Sequence, residues 1–359
     1  MTVVRIEKKF EKFYFIWTLS MVLFGTILLL SASSAYSFSI ANDISFLFNR
    51  HIVKIVLGIM LLMIISRLNY KYLSKINKFL VVISWFIMVL GYYFSDGDST
   101  ARWLKISGYS LFQTSDIAKL AIIIFTADFI QKKYNSINNY EILLKEFVPY
   151  FIITISLIYF QPDFSSSVVI SSIVIIMLLI AGLNKKIIIY LGFLLLVIFL
   201  FTTKEYQLDR LENWPYRIMF PLNDYKEIFN DQQIKYSIFG LANGGLIGQG
   251  LGNSFIKNNF LSEGHTDFIF PIISEELGFI GCTCLLFISF GALFHKSLTI
   301  LQHIRDRFGF FIIIGLVSMY LVYFLTHIGY CIGLLPTTGL PLPFLSYGGT
   351  STVINLLSM

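Results

Sequence analysis

Apolar stretches long enough to cross a lipid bilayer recur along almost the whole chain, and they leave it few ways to fold. A run of about 17–25 apolar residues crosses hydrocarbon as a helix. Candidates lie at 13–33, 46–65, 79–94, 114–131, 147–163, 166–182, 186–203, 267–294, 309–335 and 341–359. Only 13% of the 359 residues are charged and 56% are hydrophobic, whereas a soluble domain carries about a quarter charged residues. The polar surface needed to hold this much Phe, Ile and Leu in water is missing, so the solvent is lipid. Cys282, Cys284 and Cys331 sit inside apolar runs and indicate neither a disulfide framework nor a metal site. The chain reads as an all-α integral membrane protein of about ten transmembrane helices, a single polytopic domain over 1–359. The fifth and sixth candidates, parted only by Gln161-Pro162-Asp163, have the lengths of half-helices meeting at a break.

Lys and Arg in the connections set the orientation. Arg5, Lys8, Lys9 and Lys12 precede the first span, and Arg67, Lys71, Lys75 and Lys78 follow the second. Lys132, Lys133 and Lys145 follow the fourth, Lys185 and Lys186 the sixth, and Lys296, Arg305 and Arg307 the eighth. With ten alternating spans all of these fall on one side, so both termini are expected in the cytoplasm. The net charge of +6 is thereby explained by topology, without a nucleic-acid partner. The small residues after the first span resemble a signal-peptide cleavage site, but the span's length and the spans behind it favour an uncleaved anchor. The opposite side receives Ser95–Gln113, the Gln161–Phe164 break, a large extracytoplasmic loop between helices 7 and 8 (about 204–266), and Pro336–Pro341.

Those outer segments carry the unusual residues. Arg102 and Trp103 read either as an interface anchor or as a grip on a phosphate or sugar. Asp116 and Lys119, three apart at the start of span four, share a helical face. Asp163 lies in the 5–6 break, where Ser165, Ser166 and Ser167 are candidate caps for the next helix. Arg210 and Arg217 stand in the long loop, followed by the glycine run Gly240–Ser254, which lacks the preceding strand of a nucleotide loop and fits tight turns at a membrane surface. Glu263, His265 and Asp267 then crowd the entrance to span eight, with Thr266 or Asp267 as its expected cap. Glu275 and Glu276 lie about 12–13 Å deeper along that helix. Carboxylates at that depth need partners or protons, and Lys119 is a candidate partner.

The pieces RW (102–103), QTSDIAKL (113–120), QPDF (161–164), GGLIGQGLGNS (244–254), EGHTDFIF…EELGFIG (263–281) and GLLPTTGLPLPFLSYGGTS (333–351) occur in this order. Together they resemble the SEDS family (shape, elongation, division and sporulation), polytopic bacterial membrane proteins that polymerise peptidoglycan from lipid II. The resemblance runs from about Arg102 to the end. GLGNS and PLPFLSYGGTS are more similar to the division branch (FtsW and its sporulation relatives) than to the elongation branch (RodA). It departs from the family where Gln113-Thr114-Ser115-Asp116 replaces the usual Gln-Pro-Ser-Glu, and where Ser262-Glu263 replaces the usual Pro-Glu.

The resemblance implies a glycosyltransferase in the bacterial cytoplasmic (inner) membrane, at the division septum if the branch is right. Its essential carboxylate matches Asp267, and its important Trp, Lys and QPD Asp match Trp103, Lys119 and Asp163. It also implies a class B penicillin-binding protein as partner, within the division machinery. The donor would be a glycan on undecaprenyl pyrophosphate and the acceptor the 4-hydroxyl of lipid II, joined with inversion. Asp267 is the expected base, with Arg102, Lys119 and Arg210 or Arg217 as the cationic side, and Glu263 and His265 as supporting groups. A divalent cation is compatible with this chemistry, but no ligand cluster stands out and no cofactor is assigned. Two rivals are a lipid II flippase or transporter, which would move lipid without making glycan, and a non-catalytic division scaffold, which would tolerate loss of Asp267.

Overall fold

A computed structural model of the chain describes residues 2–94, 102–106, 109–202, 232–258, 260–261 and 263–359. The first three helices are α1 (Thr2–Ala41), α2 (Phe46–Ile65) and α3 (Lys71–Tyr93). An antiparallel hairpin of β1 (Trp103–Ile106) and β2 (Tyr109–Gln113) follows. Then come α4 (Thr114–Lys133), α5 (Tyr140–Phe160), α6 (Phe164–Ile180) and α7 (Lys185–Thr202). The chain closes with α8 (Gln232–Gly244), α9 (Ile269–Leu301), α10 (Arg307–Cys331) and α11 (Thr350–Leu357). Among the described residues, α1 from Lys12 on, α2, α3, α5, α9 and α10 are long and apolar enough to cross a membrane, and α6 is a shorter apolar helix. The protein is a multi-pass membrane protein, mostly helical, with one small hairpin that the all-α reading did not foresee.

The helix α4 is the centre. Ile122, Ile123, Ala127 and Ile130 are fully buried, and its burial runs around all sides, the mark of a core helix. It packs against α3 and α10, and α10 in turn against α6. Lipid tails are as apolar as Leu, so close packing and polar bonds hold such helices together. At Gly315 of α10 an added Cβ would lie 2.5 Å from Ile123 and 2.9 Å from the Met177 sulfur, so a larger residue would force these side chains to shift. Polar bonds tie the other contacts. The Trp85 indole donates to Thr154 at 2.8 Å, joining α3 to α5. Asn77 donates to Asp128 at 2.8 Å and Ser74 bonds the same carboxylate, joining α3 to α4.

Three expectations change. The helix α5 is 21 residues long and adequate to cross by itself, so the turn at 161–163 joins two substantial helices and not two halves. The tenth candidate span is helical only over the eight residues of α11, about 12 Å. Pro341 and Pro343 withhold backbone donors, so residues 336–349 run as an irregular loop. The span entering at 267 is interrupted at Gly278 (φ +67°, ψ 179°). Its broken ladder is repaired by the glycine run. Gln249 and Gly250 N–H donate to the carbonyls of Glu275 and Glu276 (2.9 and 3.0 Å), while Phe279 and Ile280 N–H donate to Gly245 and Leu246 (2.9 and 3.1 Å). Non-helical backbone at this depth is tolerated where protein satisfies it.

Besides α2, the first helix finds partners late in the chain. Trp17 donates to the Ser289 carbonyl at 2.9 Å, and Tyr36 stacks on His265 at 4.5 Å. Gly25 lies so close to Phe344 that a Cβ would stand 2.1 Å from its carbonyl oxygen.

Candidate active site

The hairpin, the 161–163 turn, the 263–268 turn and the 336–349 loop meet at one end of the bundle, and hydrogen bonds join them. Gln113 ends β2. Its N–H donates to Thr350 Oγ1 at 2.7 Å and its side-chain amide to Asp163 Oδ2 at 2.8 Å. Ser115 donates to the same oxygen at 2.9 Å. The other oxygen of Asp163 accepts the Ser166 N–H at 3.2 Å, so Asp163 itself caps α6 and the expected serine caps do not. Thr114 donates to Gln161 at 2.8 Å, and Gln161 to the Met88 carbonyl at 2.7 Å. Arg102, whose carbonyl accepts the Thr114 N–H at 3.1 Å, keeps its Nε buried without a hydrogen-bond partner. Trp103 is half-buried and pairs with Gln113 across the hairpin.

Lys119 does not reach Glu275 or Glu276. Its ammonium donates to Asp116 Oδ1 at 2.9 Å and bonds the Tyr323 hydroxyl of α10, and Lys119 is only 3% exposed. The two glutamates find their partners elsewhere. Glu275 accepts from Asn243 (2.6 Å), Ser254 (2.5 Å) and the Ile256 N–H (3.2 Å). Glu276 accepts from Ser31 (2.5 Å) and from Lys257 (3.0 Å), which comes from the segment after the glycine run.

Residues Glu263–Phe268 form a turn, with the N–H groups of Asp267 and Phe268 donating to the Glu263 carbonyl at 3.1 and 3.0 Å. The helix α9 begins only at Ile269, and its N-cap position, Phe268, makes no side-chain cap bond. Neither Thr266 nor Asp267 stands at that position; Thr266 Oγ1 bonds Glu263 at 2.9 Å. The Asp267 carboxylate stands against Gly339, whose missing side chain would lie 3.0 Å from Oδ2. His265 is buried between Tyr36 and Tyr347, and its carbonyl accepts the Tyr347 N–H at 2.9 Å. Burial pulls the His265 pKa below its ordinary value, and the nearby Glu263 carboxylate only partly opposes this.

One face of α10 links the lysine to the aspartate. Tyr323, His327 and Tyr330 follow the i, i+4, i+7 spacing of a single helical stripe. Tyr323 holds Lys119; His327 and Tyr330 bond the Leu340 carbonyl, and Tyr330 also bonds the Asp267 carbonyl. Reading single motifs misses this stripe; three polar-tipped rings at helical spacing in an apolar span are the signal that could have found it. A cavity of ≈ 530 Å³ opens between α2, α3, α4 and α11, lined by apolar groups such as Leu57, Leu80 and Val353 with Lys54 among them. Arg210 and Arg217 lie outside the described residues. Among the described residues, no cluster of three His, Cys, Asp or Glu side chains is arranged to hold a metal.

A profile of the cell cycle proteins FtsW, RodA and SpoVE matches residues 11–359. The chain belongs to this family. Its relatives there include stage V sporulation protein E of Bacillus subtilis (strain 168), 32% identical over 351 residues, covering 95% of this chain and 93% of that one. A probable peptidoglycan glycosyltransferase FtsW of Wigglesworthia glossinidia brevipalpis is 30% identical over 353 residues, covering 96% and 90%. Solved folds of the family superpose along nearly the whole length. A chain from a peptidoglycan synthase complex that coordinates polymerization and crosslinking gives a TM-score of 0.72 at 21% identity, covering 96% of this chain and 93% of that one. The rod shape determining protein RodA of Thermus thermophilus gives 0.66 at 20%, covering 96% and 92%.

Proposed function

We propose that this family member is a peptidoglycan glycosyltransferase that polymerises lipid II at the outer face of the bacterial cytoplasmic membrane, for septal wall synthesis. The observation that carries the reading is the half-buried Asp267 carboxylate, set on a turn at the mouth of a membrane helix and tied through α10 to the wall holding Lys119. A carboxylate in that setting takes the proton of an attacking hydroxyl. The 4-hydroxyl of lipid II attacks the anomeric carbon of the growing strand, the bond to pyrophosphate breaks, and the centre inverts. Negative charge develops on the departing pyrophosphate and calls for fixed positive charge. Arg102, with its buried and unpartnered Nε, meets that need by direct contact. Lys119, already bound to Asp116 and Tyr323, holds the wall between α4 and α10. The cavity beside Lys54 suits the apolar tail of a prenyl-linked substrate, with an ammonium for its anionic head.

The arrangement we favour has ten membrane passages, both termini in the cytoplasm and the 204–266 loop outside. A class B penicillin-binding protein is the expected partner, in line with the name of the synthase complex that shares the fold. The test is polymerisation of lipid II by the purified protein co-expressed with such a partner. Wild type should make glycan strands and Asp267→Ala should make none; equal rates would overturn the assignment. Lipid II crossing liposome membranes without glycan synthesis would point to a transporter instead.

A further inference from the structure

Tyr330 is fully buried, near the end of α10, and its hydroxyl lies where three chain segments converge. It donates to the Asp267 carbonyl and lies 2.9 Å from the Leu340 carbonyl and 2.9 Å from His327 Nδ1. His327 Nδ1 is itself 2.7 Å from Leu340 O. Two protons are shared among these four contacts. The imidazole carries its proton on Nδ1 and gives it to Leu340 O, which frees the phenol proton for Asp267 O. The ring is fixed as well, packing edge-on against Phe268 at 5.5 Å.

Both carbonyls flank the carboxylate. Asp267 carries it, and Leu340 directly follows Gly339, where an added Cβ would lie 3.0 Å from Oδ2. The turn before α9 has no side-chain cap, and the 336–349 loop has no regular secondary structure until α11. The Tyr347 N–H joins the two segments at the His265 carbonyl, and the hydroxyl on a rigid helix joins them at Asp267 and Leu340.

We propose that Tyr330, oriented by His327, is a positioning residue for the Asp267 carboxylate, fixing its distance to the wall formed by the Gly339–Leu340 loop. This rests on the reading of Asp267 as the base. Removing the hydroxyl keeps the ring packing and leaves the Asp267 carbonyl without its donor, while Leu340 O stays bonded to His327. Displacement of a reacting group by ~1 Å can cost about a hundredfold in rate. The effect falls on turnover, because the substrate contacts lie on other segments.

The experiment measures lipid II polymerisation by the protein with its transpeptidase partner, comparing wild type, Tyr330→Phe, Asp267→Asn and Phe324→Leu. Phe324 is a buried neighbour on α10 that packs on Phe287 and Phe290, away from the turn. Tyr330→Phe should lower kcat by roughly ten- to a hundredfold with KM within about twofold, while thermal unfolding in detergent moves no more than in Phe324→Leu. Phe324→Leu should keep kcat. Unchanged kcat in Tyr330→Phe alongside an inactive Asp267→Asn overturns the positioning role alone. An active Asp267→Asn instead removes the base assignment on which it rests. A kcat loss matched by Phe324→Leu, or a loss confined to KM, also overturns the proposal, since either would mean general loosening or substrate contact.

Discussion

His265 lies between two rings, Tyr36 at 4.5 Å and Tyr347 at 5.7 Å, and its burial favours the neutral imidazole. A histidine whose folded pKa is depressed binds fewer protons than in the unfolded chain, so its stabilising contribution is complete above the ordinary 6.5. It is withdrawn as the pH falls through 6.5 toward the lower folded value. The midpoint of thermal unfolding should therefore drop on acidification below about pH 6.5, and His265→Gln should flatten that part of the profile. An unaltered slope in the variant would show that other groups titrate there. The motif told that this histidine belongs near Asp267, but not that it is packed as a ring. Its stacking partner comes from α1, which no local pattern predicts.

Among the elements, α9 departs most from its sequence. Its break at Gly278 is filled by backbone from the glycine run, and a Cβ there would lie 2.3 Å from the Gly248 nitrogen. Gly278→Ala combines that overlap with a positive φ, so it should cost about 2–5 kcal/mol and lower the unfolding temperature accordingly. Gly291→Ala, farther along the same helix with nothing within 4 Å of its Cβ, should stay within about 0.5 kcal/mol of wild type. Most helices were legible because apolar runs bounded by Lys and Arg carry the period and the length. The β-hairpin was not, since nine strand residues beside a Trp look the same as an interfacial loop. Nor was the break: an isolated glycine in an apolar run carries no mark of what approaches it. The loop at 336–349 did announce itself through Pro341, Pro343 and Gly348-Gly349, but its apolar content reads as a span. Glu275 and Glu276 were correctly read as needing partners. The wrong donor was expected because Lys257 lies outside every apolar run, and only the fold brings it to Glu276.

At the scale of the whole molecule, the proposed ten-passage topology would put the end that carries the hairpin outside the cell. In a background with Cys284 replaced by Ser, an impermeant thiol reagent applied to intact cells should label Leu251→Cys and spare Gln302→Cys. Both sites are exposed, whereas the remaining cysteines, Cys282 and Cys331, are buried. The reverse pattern would invert the topology and with it the placement of Asp267. The packing of α1 has a further consequence, for the order in which the protein is made. Trp17, Gly25, Ser31 and Tyr36 meet Ser289, Phe344, Glu276 and His265, all more than two hundred residues downstream. At about 5–20 residues per second of synthesis, the first helix waits roughly 10–65 s for them. During that interval its docking face is open to lipid, to other newly inserted helices and to the membrane's quality-control machinery. The bundle is thus closed by its last-made segments returning to its first, and a chain stopped short of residue 265 leaves α1 packed on α2 with none of these four contacts made.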